Sequence, residues 1–88
     1  MEIGTAIKNI RRAQKISQET LSRRAGISKS YLCLIETNTR LPTLRTVELI
    51  AKGLKVSYVK FYLYMIKAEV REEEQMIHDI LDLLTNYI

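Results

Sequence analysis

The sequence of 88 residues has few of the residues that break helices or form covalent bridges. It contains one proline, three glycines, one cysteine and no tryptophan. Turn-rich β architectures need more glycine and proline than this, so the composition predicts an all-α fold. A single cysteine, Cys33, excludes an intrachain disulfide and a cysteine-based metal cage, and His78 is the one histidine. We therefore expect no metal and no cofactor.

The sequence also lacks a membrane span and a catalytic constellation. No apolar run reaches the roughly 18 residues that cross a bilayer, and the N-terminus has no basic-then-apolar signal pattern. There is no Cys-His pairing and no glycine-rich phosphate loop. These absences predict a cytoplasmic protein that is neither an enzyme nor a membrane binder.

Positive charge is in excess, but only in part of the chain. Residues 1–67 hold 13 lysines or arginines against four acidic residues, a net charge of +9, whereas residues 68–88 hold one arginine against six acidic residues, a net charge of −5. A basic body is typical of proteins that bind a polyanion, because each cation placed on a phosphate releases condensed counterions. Double-stranded DNA is the simplest such partner, and solvated helix faces are the alternative explanation. We predict a DNA-binding domain over 1–67 and an acidic amphipathic extension over 68–88.

Hydrophobic periodicity and capping residues predict five helices in the basic region. The first is expected at about 3–14 and the third at about 29–37. Candidate N-caps precede the second to fifth helices: Ser17, Ser28, Thr43 and Ser57. Gly26 is suited to end the second helix, and one residue separates it from the cap of the third, so the two helices form a helix-turn-helix.

A helical wheel divides the third helix into two faces. Leu32 and Ile35 turn inward as its apolar positions. The outward positions are Ser30, Cys33, Leu34 and Thr37, with Lys29 and Tyr31 beside them. The outward face is the candidate binding surface.

The extension 68–88 is predicted to be helical, and whether it continues the fifth helix or forms a separate one stays open. Its apolar residues form one broad face: Met76, Ile77, Ile80, Leu81, Leu83, Leu84, Tyr87 and Ile88. This exceeds what a core of this size is expected to cover, so we interpret the extension as dimer surface, with folding back onto its own domain as the alternative. A separate protein partner for this helix is also possible.

The segment 16–36, followed by Asn38, Arg40, Pro42 and Thr43, resembles helix-turn-helix regulators of the Cro and phage-repressor type, the Xre family. The shared features are a Ser-Gln-Glu start, an Ala-Gly corner, a Ser-x-Ser-Tyr-Leu entry to the third helix and an Ile-Glu pair near its end. The resemblance covers roughly residues 3–66. It implies a five-helix lambda-repressor-like domain that binds a pseudo-palindromic operator as a homodimer.

The resemblance also implies roles for individual residues. Gln18, at the start of the second helix, is expected to bind a DNA phosphate. Base contacts in the major groove are expected from Lys29, Ser30, Tyr31, Cys33 and Leu34, and phosphate contacts from Thr37, Asn38 and Arg40. Arg11 and Glu36 are expected to form a buried ion pair. Dimer contacts are expected from Phe61, Tyr62 and Met65 of the fifth helix and, in the extension, from Ile77, Leu81 and Leu84.

Several alternatives remain open. Leu34 is either a contact to a thymine methyl group or an exposed residue without consequence. Cys33 is expected to be a small apolar reader of bases, with redox sensing as the less favoured alternative. The role of such a regulator is that of a phage repressor, a restriction-modification controller or an antitoxin-type autoregulator. A module that binds proteins and not DNA is the alternative from a different class.

Overall fold

Every regular element of the computed structural model is a helix within the residues that it describes, 2–69 and 74–87. The helices are α1 (Ile3–Ala13), α2 (Gln18–Ala25), α3 (Lys29–Glu36), α4 (Leu44–Gly53), α5 (Tyr58–Glu69) and α6 (Gln75–Tyr87). The predicted all-α fold, five helices and a helical extension, is confirmed. Ile88, which was predicted to join the apolar face of the extension, lies outside the described residues.

Hydroxyl side chains begin helices α2 to α5, at the predicted positions. The hydroxyl of Ser17 accepts a hydrogen bond from the backbone N–H three residues later, at 3.0 Å, and Ser28 does the same at 3.0 Å. Thr43 and Ser57 accept equivalent bonds at 3.1 and 3.3 Å. Each cap satisfies one of the N–H groups that a helix start leaves unpaired.

A residue in the left-handed conformation follows the end of each of the first four helices, and only one of these residues is glycine. Gly26 has φ of 72°, and Lys15, Asn38 and Lys55 have φ of 59°, 60° and 58°. At each of the four ends the N–H of the left-handed residue and the N–H of the residue after it bond back to carbonyls of the last turn, as in the Schellman motif. Three of the residues that follow, Ile16, Ile27 and Val56, are apolar and pack against the core, which sets the direction in which the chain leaves each helix.

One core is shared by helices α1 to α5. Its members are Ala6, Ile7, Leu21, Ala25, Leu32, Ile35, Val47, Ile50, Leu54 and Phe61. Helices α2 and α4 lie close together at Gly53, where an added Cβ would lie 3.0 Å from a methyl carbon of Leu21. This packing holds α2 and α3 in a fixed relation, with one face of α3 turned outward.

Helix α6 packs on α5. Leu81 of α6 is buried. Helix α5 runs to Glu69, past the predicted domain boundary between 67 and 68, and α6 is a separate element from Gln75. The extension thus folds against its own chain along one stripe, and the domain boundary itself stays a prediction.

Candidate nucleic-acid interface

Helix α3 buries one face and presents the other. Leu32 and Ile35 are fully buried and Glu36 is 3% exposed, which fixes the rotation of the helix about its axis. The opposite face is solvent-exposed at Lys29, Ser30, Cys33 and Leu34. This is the orientation that the helical wheel predicts, and it gives α3 a continuous outer surface.

The start of α2 lies beside that surface. Gln18 lines a shallow concavity together with Lys29, Ser30, Cys33 and Leu34. A helix start carries unpaired N–H groups and a partial positive charge, both of which favour a phosphate. The concavity therefore combines a place for an anion at α2 with a place for base edges on α3.

A buried ion pair joins α1 to the end of α3. The Nε of Arg11 donates to one carboxylate oxygen of Glu36 at 2.7 Å, and its second terminal nitrogen donates to the other oxygen at 2.9 Å. The remaining guanidinium nitrogen donates to the carbonyl of Ile16 at 2.9 Å. Hydrogen bonding to Glu36 raises the pKa of Arg11, while burial opposes that rise. A bidentate, fully hydrogen-bonded arrangement is the geometry in which a buried pair offsets its desolvation.

Gln18 belongs to the same network. Its side-chain nitrogen donates to Glu36 at 3.0 Å, so that carboxylate accepts bonds from both α1 and α2. An amide NH₂ has two hydrogens, and one of them is held inward by this bond. The position of Gln18 beside α3 is thus set by a buried carboxylate.

The loop after α3 is tied to the start of α1. The side chain of Asn38 accepts a bond from the backbone N–H of Gly4 at 3.1 Å and donates to the hydroxyl of Thr5 at 3.0 Å. An added Cβ at Gly4 would clash with the carbonyl oxygen of Ile35, so this contact requires glycine. The predicted turn at Asn38 is observed, and its side-chain amide is hydrogen-bonded to α1. The phosphate contact of Asn38 stays a prediction.

The other residues near this loop differ in whether their side chains are already hydrogen-bonded within the protein. The hydroxyl of Thr37 donates to the carbonyl of Cys33 at 3.0 Å and lies 2.8 Å from the hydroxyl of Thr39. Tyr31 is half-buried, and its hydroxyl bonds to Thr46 at 3.4 Å. Arg40 is exposed, with its guanidinium carbon 5.6 Å from the centre of the Tyr31 ring, a cation–π distance. Tyr31 therefore supports Arg40 at the edge of the surface.

The residues predicted for dimer contacts differ in exposure. Phe61 is 2% exposed and Leu81 is also buried, both within their own chain, while Tyr62 and Met65 are half-buried against the core. Burial raises the pKa of Tyr62, and the neighbouring Tyr58 and Glu48 add to the rise. Phe61 and Leu81 are thus covered within their own chain, and the dimer contacts of all six residues stay predictions. Ile77 and Leu84 remain exposed.

Sequence reasoning missed residues whose role depends on tertiary contacts. Gly4 permits the close approach of α1 to α3, and the side chain of Gln14 donates to the carbonyl of Leu54 at 2.7 Å. Neither residue carries a local signal of such a contact. The exposed apolar side chain of Leu44 was also missed, because periodicity does not distinguish a core face from an interface.

Two kinds of site are not found in the part of the chain that the structure describes. No described helix is long and apolar enough to cross a bilayer. Among the same residues, no three histidines, cysteines or acidic residues come together as a metal site would need.

Comparison with known proteins gives related sequences. The sequence model of the helix-turn-helix family matches residues 7–61. The immunity repressor protein of Bacillus phage phi105 is 38% identical over 74 residues, which cover 82% of this chain and 51% of the repressor. The chain thus spans about half the length of that repressor.

Solved structures of restriction-modification controller proteins have a similar fold. The wild-type controller C.Esp1396I aligns with a TM-score of 0.70 and 38% identity, over 74% of this chain and 84% of the controller. The nucleoprotein complex of C.Esp1396I aligns with a TM-score of 0.73 and 36% identity, over 80% of this chain and 91% of that chain.

Proposed function

The chain belongs to the helix-turn-helix family of DNA-binding transcriptional regulators of the Cro and phage-repressor type, and we propose that it binds a pseudo-palindromic operator as a homodimer. Helix α3 lies in the major groove, where its outer face meets base edges. The amino end of α2 and the loop after α3 lie against the flanking phosphates.

The observation that carries this proposal is the concave surface between α2 and α3. It has an exposed lysine, Lys29, and a helix start that is open to an anion, and Arg40 extends the cationic edge. Neither cation forms an ion pair among the described residues, whereas Arg11 is paired with Glu36 in the core. Free cations next to the exposed face of a helix are what a DNA-binding surface requires.

Exposed apolar side chains support the homodimer. Leu44, Tyr58, Val59 and Ile66 are large and exposed on α4 and α5. Helix α6 adds a second exposed stripe, away from its contact with α5. In the proposed dimer, a two-fold axis through these apolar surfaces sets two copies of α3 about 34 Å apart, which is one turn of DNA.

Selection of duplexes from a random pool by the full chain tests DNA binding. We expect an enriched pseudo-palindromic motif, and binding to it that weakens steeply between about 50 and 200 mM salt. Footprinting on the motif should protect two sites one helical turn apart. Absence of enrichment at all salt concentrations would favour a module that binds proteins.

Sedimentation of Val59→Lys tests the dimer. A lysine at this exposed position places a like charge next to its symmetry mate, so we expect a shift toward monomer. Leu34→Lys is the matched control, since it makes the same kind of change on the face assigned to DNA. If both variants sediment as the wild type, the dimer surface lies elsewhere.

A controller of restriction and modification genes is the second candidate. It is favoured by coverage, since the chain matches 84% of C.Esp1396I but only 51% of the phage repressor. Genes for a methyltransferase and an endonuclease beside its own would support this role, and a toxin gene or phage genes there would contradict it.

A further inference from the structure

Most polar side chains around the outer face of α3 are already hydrogen-bonded within the protein. Gln18 donates to Glu36, and Tyr31 bonds to Thr46. Thr37 donates to the carbonyl oxygens of its own helix at 3.0 and 3.2 Å. A side chain that is satisfied in this way discriminates poorly between bases, because a new bond must replace an old one.

The groups that remain free on α3 are few, and half of them are apolar. Lys29 and Ser30 are exposed and polar, whereas Cys33 and Leu34 are exposed and apolar. Leu34 is 37% exposed, although its neighbours Leu32 and Ile35 fill the core. Together the four residues line the concavity beside Gln18. Apolar surface on this face matches one kind of group in the major groove, the methyl group at C5 of a pyrimidine.

We infer that α3 selects its operator through C5-methyl groups, which contact Leu34 and Cys33, and not through polar base contacts alone. The inference rests on the proposed function. Thymine carries this group, and 5-methylcytosine carries it at the same ring position, so either base supplies the chemistry that the surface recognises. Lys29 then supplies the main polar discrimination, at guanine.

The size of the effect follows from the area of one methyl group. Burying one such group changes affinity about fourfold, which corresponds to about 0.8 kcal/mol. A homodimer makes each contact twice, so removing the methyl from both half-sites reduces affinity about 15-fold. Replacing thymine with uracil removes this group and leaves every hydrogen-bonding atom in place.

The test uses the motif enriched from the random pool, in which each symmetry-related pair of thymines, one from each half-site, is replaced in turn with deoxyuridine. We expect at least one symmetric pair of positions at which affinity falls about 15-fold at fixed salt. If a motif is enriched but deoxyuridine is neutral at every position, the methyl inference is wrong and the proposed function stands. If no motif is enriched, the proposed function itself fails.

A variant assigns the contact to its residue. In Leu34→Ala the ratio of the affinities for the thymine and the uracil duplex should fall toward one at the position that Leu34 contacts. The effects of the protein change and the DNA change on affinity are then not additive. Leu41→Ala is the matched control, since Leu41 is exposed outside the concavity, and it should keep the full difference. A difference that survives in Leu34→Ala and Cys33→Ala alike would overturn the assignment. Circular dichroism confirms that each variant is folded.

The two sources of the methyl group are separated at the same position. A cytosine·guanine pair is placed there with and without C5 methylation. Tighter binding to the methylated duplex, by about fourfold per half-site, shows that 5-methylcytosine is recognised as thymine is, and makes the protein sensitive to cytosine methylation. Equal binding of the two duplexes restricts recognition to thymine.

Discussion

Removing the guanidinium of Arg11 tests whether the buried ion pair determines the stability of the domain. Arg11→Met keeps much of the aliphatic stem but leaves Glu36, which is 3% exposed, with one remaining donor, Gln18. It also removes the bond to the carbonyl of Ile16. The change therefore leaves a buried carboxylate with one donor in place of three.

The expected loss is large for a domain of this size. Breaking a buried pair by removing one partner costs about 3–5 kcal/mol, whereas a chain of 88 residues has a free energy of unfolding of about 4–13 kcal/mol. The melting temperature should fall by about 12 °C or more. Replacing Glu36 as well, in Arg11→Met/Glu36→Leu, removes the stranded charge and should restore part of the loss.

Urea unfolding of the two variants and the wild type measures these differences. The chain offers a matched control in Arg45 and Glu48, an exposed pair at 3.7 Å whose side chains are 76% and 38% exposed. Arg45→Met should change the free energy of unfolding by less than about 1 kcal/mol. If Arg11→Met costs no more than Arg45→Met, or if the double variant is no more stable than Arg11→Met, the network does not stabilise the fold.

Three further outcomes are expected. Lys29→Ala should relax sequence preference at one position, whereas Gln18→Ala should weaken binding to all duplexes about equally; equal effects in a binding-site selection would contradict the two roles. Asn38→Ala should lower the free energy of unfolding by about 2–3 kcal/mol and Asn38→Gly by about 1 kcal/mol, because only alanine adds strain at a φ of 60° to the lost bonds; equal losses in urea would refute this. Because the pKa of Tyr62 is raised in the folded state, its contribution to the free energy of unfolding is present below pH about 10 and is lost as the pH rises through the folded pKa. Tyr62→Phe should therefore lose less stability than the wild type between pH 9 and 11. Parallel losses in the two proteins would contradict this cause.

The helices and their order follow from local signals in the sequence. The first helix is expected at 3–14 and runs over Ile3–Ala13. The hydroxyls at Ser17, Ser28 and Thr43 cap the helices that they were predicted to begin. Such signals act within four residues, and so do the chemistry of a cap and the periodicity of an apolar face. For the same reason the outer face of α3 follows from the sequence.

The contacts between elements do not follow in this way. No local pattern around Gln18 or Asn38 predicts that each side chain bonds to another helix, since their partners lie 18 and 34 residues away. The left-handed lysines, Lys15 and Lys55, are similar, because a residue other than glycine gives little warning of a positive φ. A weak signal does exist there: an apolar residue follows each, as the Schellman motif prefers.

A DNA-binding helix with so few free polar groups needs two copies to discriminate its operator from other DNA. One half-site gains about 1–3 kcal/mol of discrimination from Lys29 and about 1.6 kcal/mol from two methyl contacts, about 3–5 kcal/mol in all. Specific binding usually exceeds nonspecific binding by about 4–10 kcal/mol. The discrimination of one half-site barely reaches this range, whereas that of two half-sites, about 5–9 kcal/mol, falls within it. The proposed dimer is therefore a condition of specificity and not only of affinity. Val59→Lys should accordingly lose about half of the logarithmic preference for the operator over random DNA, and a monomeric variant that keeps the full preference would refute this link.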